Sequence, residues 1–129
     1  MESNREQKGR DRLKSLGCSS RIGPGLDKFA PDLSRYIREF AFGDVHSRPG
    51  LGPKERELII VAALTTLGHA QLELESHLNM ALNVGWTREE ILEIMIQLSV
   101  YAGFPTAVNG AFVAQKVFAE RDQAGDNET

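Results

Sequence analysis

Apolar and polar positions recur with helical spacing along most of the chain. Ala30-Pro31-Asp32 suits the first turn of a helix, because proline there lacks only an N–H that would be unsatisfied anyway. Phe29, Leu33, Tyr36, Ile37 and Phe40 then fall on one apolar face, and Gly43 ends the segment. Pro53 restarts a helix through about Leu67. Its run from Leu58 to Leu64 leaves almost no polar face, so this helix is expected to be buried on several sides, by a second subunit as well as by its own domain. Gly68 is a stop signal. The next helix covers roughly Leu72 to Val84, with Leu74, Leu78, Ala81 and Leu82 as its buried stripe and Gly85 behind it. Thr87-Arg88-Glu89-Glu90 reads as a capping box that opens a helix to about Ala102. Gly103-Phe104-Pro105 breaks it. A last helix runs from Pro105 or Thr106 to about Arg121, with Ala107, Gly110, Ala111 and Ala114 as a small-residue face that permits close approach. No segment alternates with period two over a strand length. The pattern predicts an all-α fold, a compact domain of about five to six helices.

Residues 26–121 carry this pattern. Residues 1–25 read as a polar N-terminal arm and 122–129 as a polar tail. In the arm Arg5, Lys8, Arg10, Arg12, Lys14 and Arg21 outnumber Glu2, Glu6 and Asp11. The expectation is a loose solvated stretch with a short helix around Leu13 and Leu16. Ile22 to Gly25 reads as a turn. A formal charge of −3 on 129 residues gives no reason to expect nucleic acid or an anionic membrane as partner. The lone cysteine, Cys18, rules out a disulfide or C-x-x-C pair within the chain. The longest apolar run is too short to cross a bilayer, and no apolar targeting segment follows Met1; the reading is cytoplasmic.

Candidate chemistry gathers around Gly68 to Leu78. Glu73 and His77 are four apart, so they share a helical face, and a carboxylate beside an imidazole raises its pKa and fixes its orientation. The same spacing also suits a plain interface salt bridge. Glu57, the last acid before the buried run, either complements the helix dipole or points inward as a proton relay. Arg48, in Ser47-Arg48-Pro49-Gly50-Leu51, is placed by a stiff loop that suits bidentate capture of a carboxylate; an exposed arginine is the alternative. His46 and His69 fall in loops as further substrate-binding candidates, with solvent exposure as the alternative. Three histidines and Glu73 suffice in number for a metal, but their spacing matches no known ligand pattern, so neither a metal nor another cofactor is assigned.

Taken in order, Arg48-Pro49-Gly50-Leu51, Arg56-Glu57-Leu58, His77-Leu78 with Ala81-Leu82-Asn83-Val84-Gly85, Thr87 to Ile91, Val100 to Pro105 and Asn109 resemble the carboxymuconolactone decarboxylase family over about residues 30 to 120. The resemblance implies an alkylhydroperoxidase-D-like helical subunit that assembles into rings, commonly homotrimers or homohexamers. The related peroxidase branch carries a C-x-x-C ahead of a histidine and a glutamate upstream as relay. Here the histidine corresponds to His77, the cysteine positions to Ala70 and Glu73, and the glutamate to Glu57. With both cysteines missing, the resemblance points to the decarboxylase branch. It implies cofactor-free loss of CO2 from 4-carboxymuconolactone or a related unsaturated lactone or keto acid, with His77 moving a proton beside Glu57 or Glu73, and Arg48 holding a carboxylate. The readings set against it are an alkylhydroperoxidase-like oxidoreductase, disfavoured by the missing cysteines, and a small-molecule-binding protein without catalysis.

Overall fold

The computed structural model describes residues 2–17 and 24–125, and no strand occurs among them. Among the described residues the regular structure is seven α-helices and one π-helical segment: α1 (Asn4–Ser15), α2 (Pro24–Phe29), α3 (Pro31–Tyr36), the π segment (Ile37–Val45), α4 (Pro53–Leu67), α5 (Gln71–Asn83), α6 (Arg88–Tyr101) and α7 (Phe104–Gln123). The all-helical expectation holds. The chain divides into two compact units, Met1–Arg56 and Glu57–Thr129.

In the first unit, the stretch read as a solvated arm with a short helix around Leu13 and Leu16 carries a twelve-residue helix, longer than that reading. Ser3 caps it, its hydroxyl accepting from the Glu6 amide at 3.1 Å. Leu13 and Leu16 are buried, and so are Glu6 and Gly9. The backbones of α1 and the π segment touch. A Cβ on Gly9 would lie 1.9 Å from the Arg38 carbonyl oxygen, and one on Gly43 would lie 2.3 Å from that of Arg5. Only glycine permits that approach. The charges of the arm are therefore not all solvated. Arg38 is buried and donates from Nε to Glu6 at 2.9 Å, and from Nη1 to Asp27 at 2.6 Å and Ser34 at 2.7 Å. A buried guanidinium is tolerable because these acceptors satisfy it. Cys18 and Arg21 lie outside the described residues.

The apolar stripe of the first sequence-predicted helix faces the other way in the single chain. Phe29, Leu33, Tyr36 and Phe40 are exposed, whereas Ser34, Arg38 and Phe42 are buried. The helix continues into π geometry, in which the His46 amide donates to the Ala41 carbonyl five residues back, at 2.8 Å. The wider turn re-aims Phe40 and the residues after it, which a 3.6-residue reading does not anticipate; Phe29, Leu33 and Tyr36 precede it and are exposed on α2 and α3 themselves.

The second unit packs α4 to α7 around Val61, Leu74, Leu78, Ala81, Ile91, Met95, Ala114 and Val117. The predicted capping box is formed: the Glu90 amide donates to Thr87 Oγ1 at 3.1 Å, and the Thr87 amide to Glu90 Oε1 at 2.9 Å. Gly68, at φ +80°, ends α4 and lets the chain turn into α5. The small-residue face of α7 is buried at Ala107, Gly110 and Ala114. A Cβ on Gly110 would meet Thr65 and Met95 at 2.7 Å.

Candidate active site

Two neighbouring helices of the second unit supply the site. Glu57 stands near the start of α4, just ahead of its apolar run, and its side chain is 0% exposed. His77 stands midway along α5, where its side chain is 14% exposed. His77 Nδ1 and Glu57 Oε1 are 2.8 Å apart. Leu74, Leu78 and Val61 around these positions are part of the apolar core. A carboxylate this deep is costly unless a donor satisfies it, and the imidazole is such a donor.

With Glu57 ionised, its carboxylate only accepts, and the proton of this hydrogen bond sits on Nδ1. Nε2 is then the nitrogen that alternates between a lone pair and a proton. When it takes a proton, the ring becomes a cation held against Glu57. That arrangement can take up and deliver a proton at a fixed place without moving the ring.

The partner differs from the one that spacing favoured. Glu73 lies one turn before His77 on the same helix, yet its side chain is exposed, and the i,i+4 pair is not the one formed. An exposed carboxylate keeps its hydration. The buried Glu57 has no such alternative, and reaches His77 across the turn at Gly68. Arg48 and His46 belong to the first unit. Arg48 is exposed on the loop between the π segment and α4. His46, for which solvent exposure was the alternative, is buried, with its ring stacked on Phe42 at 5.6 Å between centroids. His69 is exposed in the turn between α4 and α5.

Two concavities of the second unit lie elsewhere. A narrow cleft with room for about one water is lined by Thr65, Gln71, Thr106 and Asn109, among others. An open groove of ≈ 470 Å³ is lined by Leu92, Phe112, Gln115 and Phe118 with Ala111, Ala119 and Asp122. Neither is lined by Glu57 or His77. Among the described residues no three His, Cys, Asp or Glu side chains group as metal ligands, and no helix is long and apolar enough to cross a membrane.

The chain is 38% identical to the 4-carboxymuconolactone decarboxylase of Acinetobacter baylyi over 95 residues, 74% of this chain and 70% of that protein. It is 33% identical to an uncharacterized 15.0 kDa protein of Paracoccus denitrificans, over 76% of this chain and 74% of that one. The nitrosuccinic acid decarboxylase npaB of Metarhizium robertsii is 36% identical, over 70% of this chain and 62% of its own length. A family model described as "Carboxymuconolactone decarboxylase family" matches residues 31–116, a span that includes Arg48, Glu57 and His77. The chain belongs to the carboxymuconolactone decarboxylase family.

Proposed function

We propose that this protein is a carboxy-lyase that releases CO2 from 4-carboxymuconolactone or a related unsaturated lactone or keto acid, with His77 as proton carrier and Glu57 as its tuning partner. The observation that carries the reading is the 2.8 Å contact between a fully buried carboxylate and the imidazole. The names of two relatives support the reaction class. 4-Carboxymuconolactone and nitrosuccinic acid differ in skeleton but share a demand. Each bears a carboxylate whose loss leaves an electron pair that a neighbouring lactone or nitro group can delocalise.

The step balances with groups of that kind. The bond from carbon to carboxylate breaks, CO2 leaves, and its electron pair enters the unsaturated system. The resulting dienolate takes a proton from His77 Nε2, and Glu57 stabilises the imidazolium that supplies it. The apolar run beside Glu57 disfavours the charged carboxylate of the ground state more than the dispersed charge that follows. Arg48 is assigned to a second carboxylate of the substrate, with the exposed His69 as a further binding group; His46, buried against Phe42, is left outside substrate contact. Glu73, exposed, is left outside the proton step. We further propose that the chain works as a homotrimer or homohexamer, a reading supported by apolar side chains such as Phe29 (90% exposed) and Tyr101 (84% exposed) on the single chain.

The experiment is an assay of CO2 release by the purified protein on 4-carboxymuconolactone, nitrosuccinic acid and a panel of unsaturated lactones and keto acids. Turnover of at least one is expected. No release from any of them contradicts the reading.

A further inference from the structure

We propose that Arg56 is a positioning residue that holds the loop presenting Arg48, a role that rests on the carboxylate-binding reading of Arg48 given above. Arg56 lies in the first turns of α4, and its amide donates to the Gly52 carbonyl at 3.0 Å. Its side chain turns back over the preceding loop. Nε donates to the Leu51 carbonyl at 3.1 Å, and Nη2 donates to the Arg48 carbonyl, also at 3.1 Å. These two nitrogens share one edge of a planar, always charged group. They therefore fix the spacing of two carbonyls three residues apart, as one rigid fork.

The loop is held at its other end by different bonds. The His46 amide donates to Ala41, the Arg48 amide donates to Val45 at 3.1 Å, and Ser47 Oγ donates to the Phe42 carbonyl at 2.6 Å. Between the two anchors lie Pro49, which has no N–H to give, and Gly50, which has no side chain. Arg56 thus closes the span that local hydrogen bonds leave open. It fixes the backbone from which the exposed Arg48 guanidinium projects. The next residue in the chain is Glu57, so consecutive positions of α4 carry the loop fork and the carboxylate of the proton pair.

A fork of this kind acts on binding and not on the proton step. Arg56→Gln should raise KM for 4-carboxymuconolactone about tenfold, the cost of loosening a bidentate charged hydrogen bond, while kcat stays within about twofold of wild type. Arg56→Lys should fall between, since one ammonium can hold one carbonyl but not both. The deciding measurement is a double-mutant cycle on KM with Arg48→Ala. If Arg56 acts through Arg48, Arg48→Ala/Arg56→Gln is no worse than Arg48→Ala alone. Multiplying effects, or an unchanged KM in Arg56→Gln, overturn the positioning role and leave the functional reading standing. An unchanged KM in Arg48→Ala removes the carboxylate-binding reading and this inference with it, as does a wild-type protein that turns over no substrate in the panel.

Discussion

His77 and Glu57 are twenty positions apart, and the hydrogen bond between them makes each the other's environment. Replacing Glu57 by Gln keeps an oxygen that accepts from Nδ1 but removes the negative charge that stabilises an imidazolium. Glu57→Gln is therefore expected to lower kcat by about 10- to 100-fold, with thermal stability near wild type; equal kcat would show that the charge is not used. A helix net displays the neighbour at i−4, so the sequence made Glu73 the evident partner. It does not display which residue of another helix meets the ring. The usable signal was Glu57's place as the last acid ahead of an apolar run, where an acid has to be satisfied internally. His46 was illegible for a similar reason: the π turn that buries it against Phe42 leaves no mark in a 3.6-residue pattern.

At the scale of elements, the first unit depends on α1 lying directly on the π segment. Gly9→Ala places a methyl where the Arg38 carbonyl already stands, so the helix must lift. A loss of about 1–3 kcal/mol is expected in denaturant unfolding, as for other overpacked sites. A variant as stable as wild type would show that this contact is slack. Arg38→Ala leaves Glu6 with Arg10 and Asp27 with Ser34 as partners and is expected to cost about 1–3 kcal/mol, the usual result of leaving a part-buried polar group short of a hydrogen bond. The hydroxyl of Ser34 and the guanidinium of Arg38 hold Asp27 below the ordinary carboxylate range. A carboxyl depressed in the folded state adds stability above its unfolded pKa of about 3.9, and that stability is lost as pH falls through the lower folded value. Amide protection in α1 should thus decline below about pH 4, and Asp27→Asn should flatten that decline; an identical acid limb in the variant would count against the network. Glu6 and the charges around it read as part of a solvated arm in sequence because residues 1–25 carry little apolar periodicity. Gly9 and Gly43 were the only hint that two backbones meet there. The boundaries of α4 to α7, by contrast, were legible to within a few residues, because proline, the Thr87 capping box and the glycine stops are local signals with local causes.

At the scale of the molecule, the single chain carries more exposed apolar side chains than a solitary soluble domain needs. Leu72, Ile96, Val100, Tyr101, Phe104 and Phe112 are exposed in the second unit, and Phe29, Leu33, Tyr36 and Phe40 in the first. On the helix beginning at Pro53, which the sequence reads as apolar nearly all round, Ile59 and Leu67 are exposed in the single chain. Light scattering should give three or six times the 14.3 kDa chain mass, and Val100→Asp should shift the population toward smaller species. A monomer at micromolar concentration would contradict the proposed assembly. The central claim, that one sheltered imidazole delivers the proton that completes decarboxylation, is tested most directly by His77→Gln. Its amide can still donate to Glu57, so the buried carboxylate stays satisfied and the helical circular dichroism should be unchanged. The measurement is kcat for CO2 release from the substrate that the wild-type protein turns over best. A fall of about 10²- to 10⁴-fold is expected; a rate equal to wild type would contradict the account.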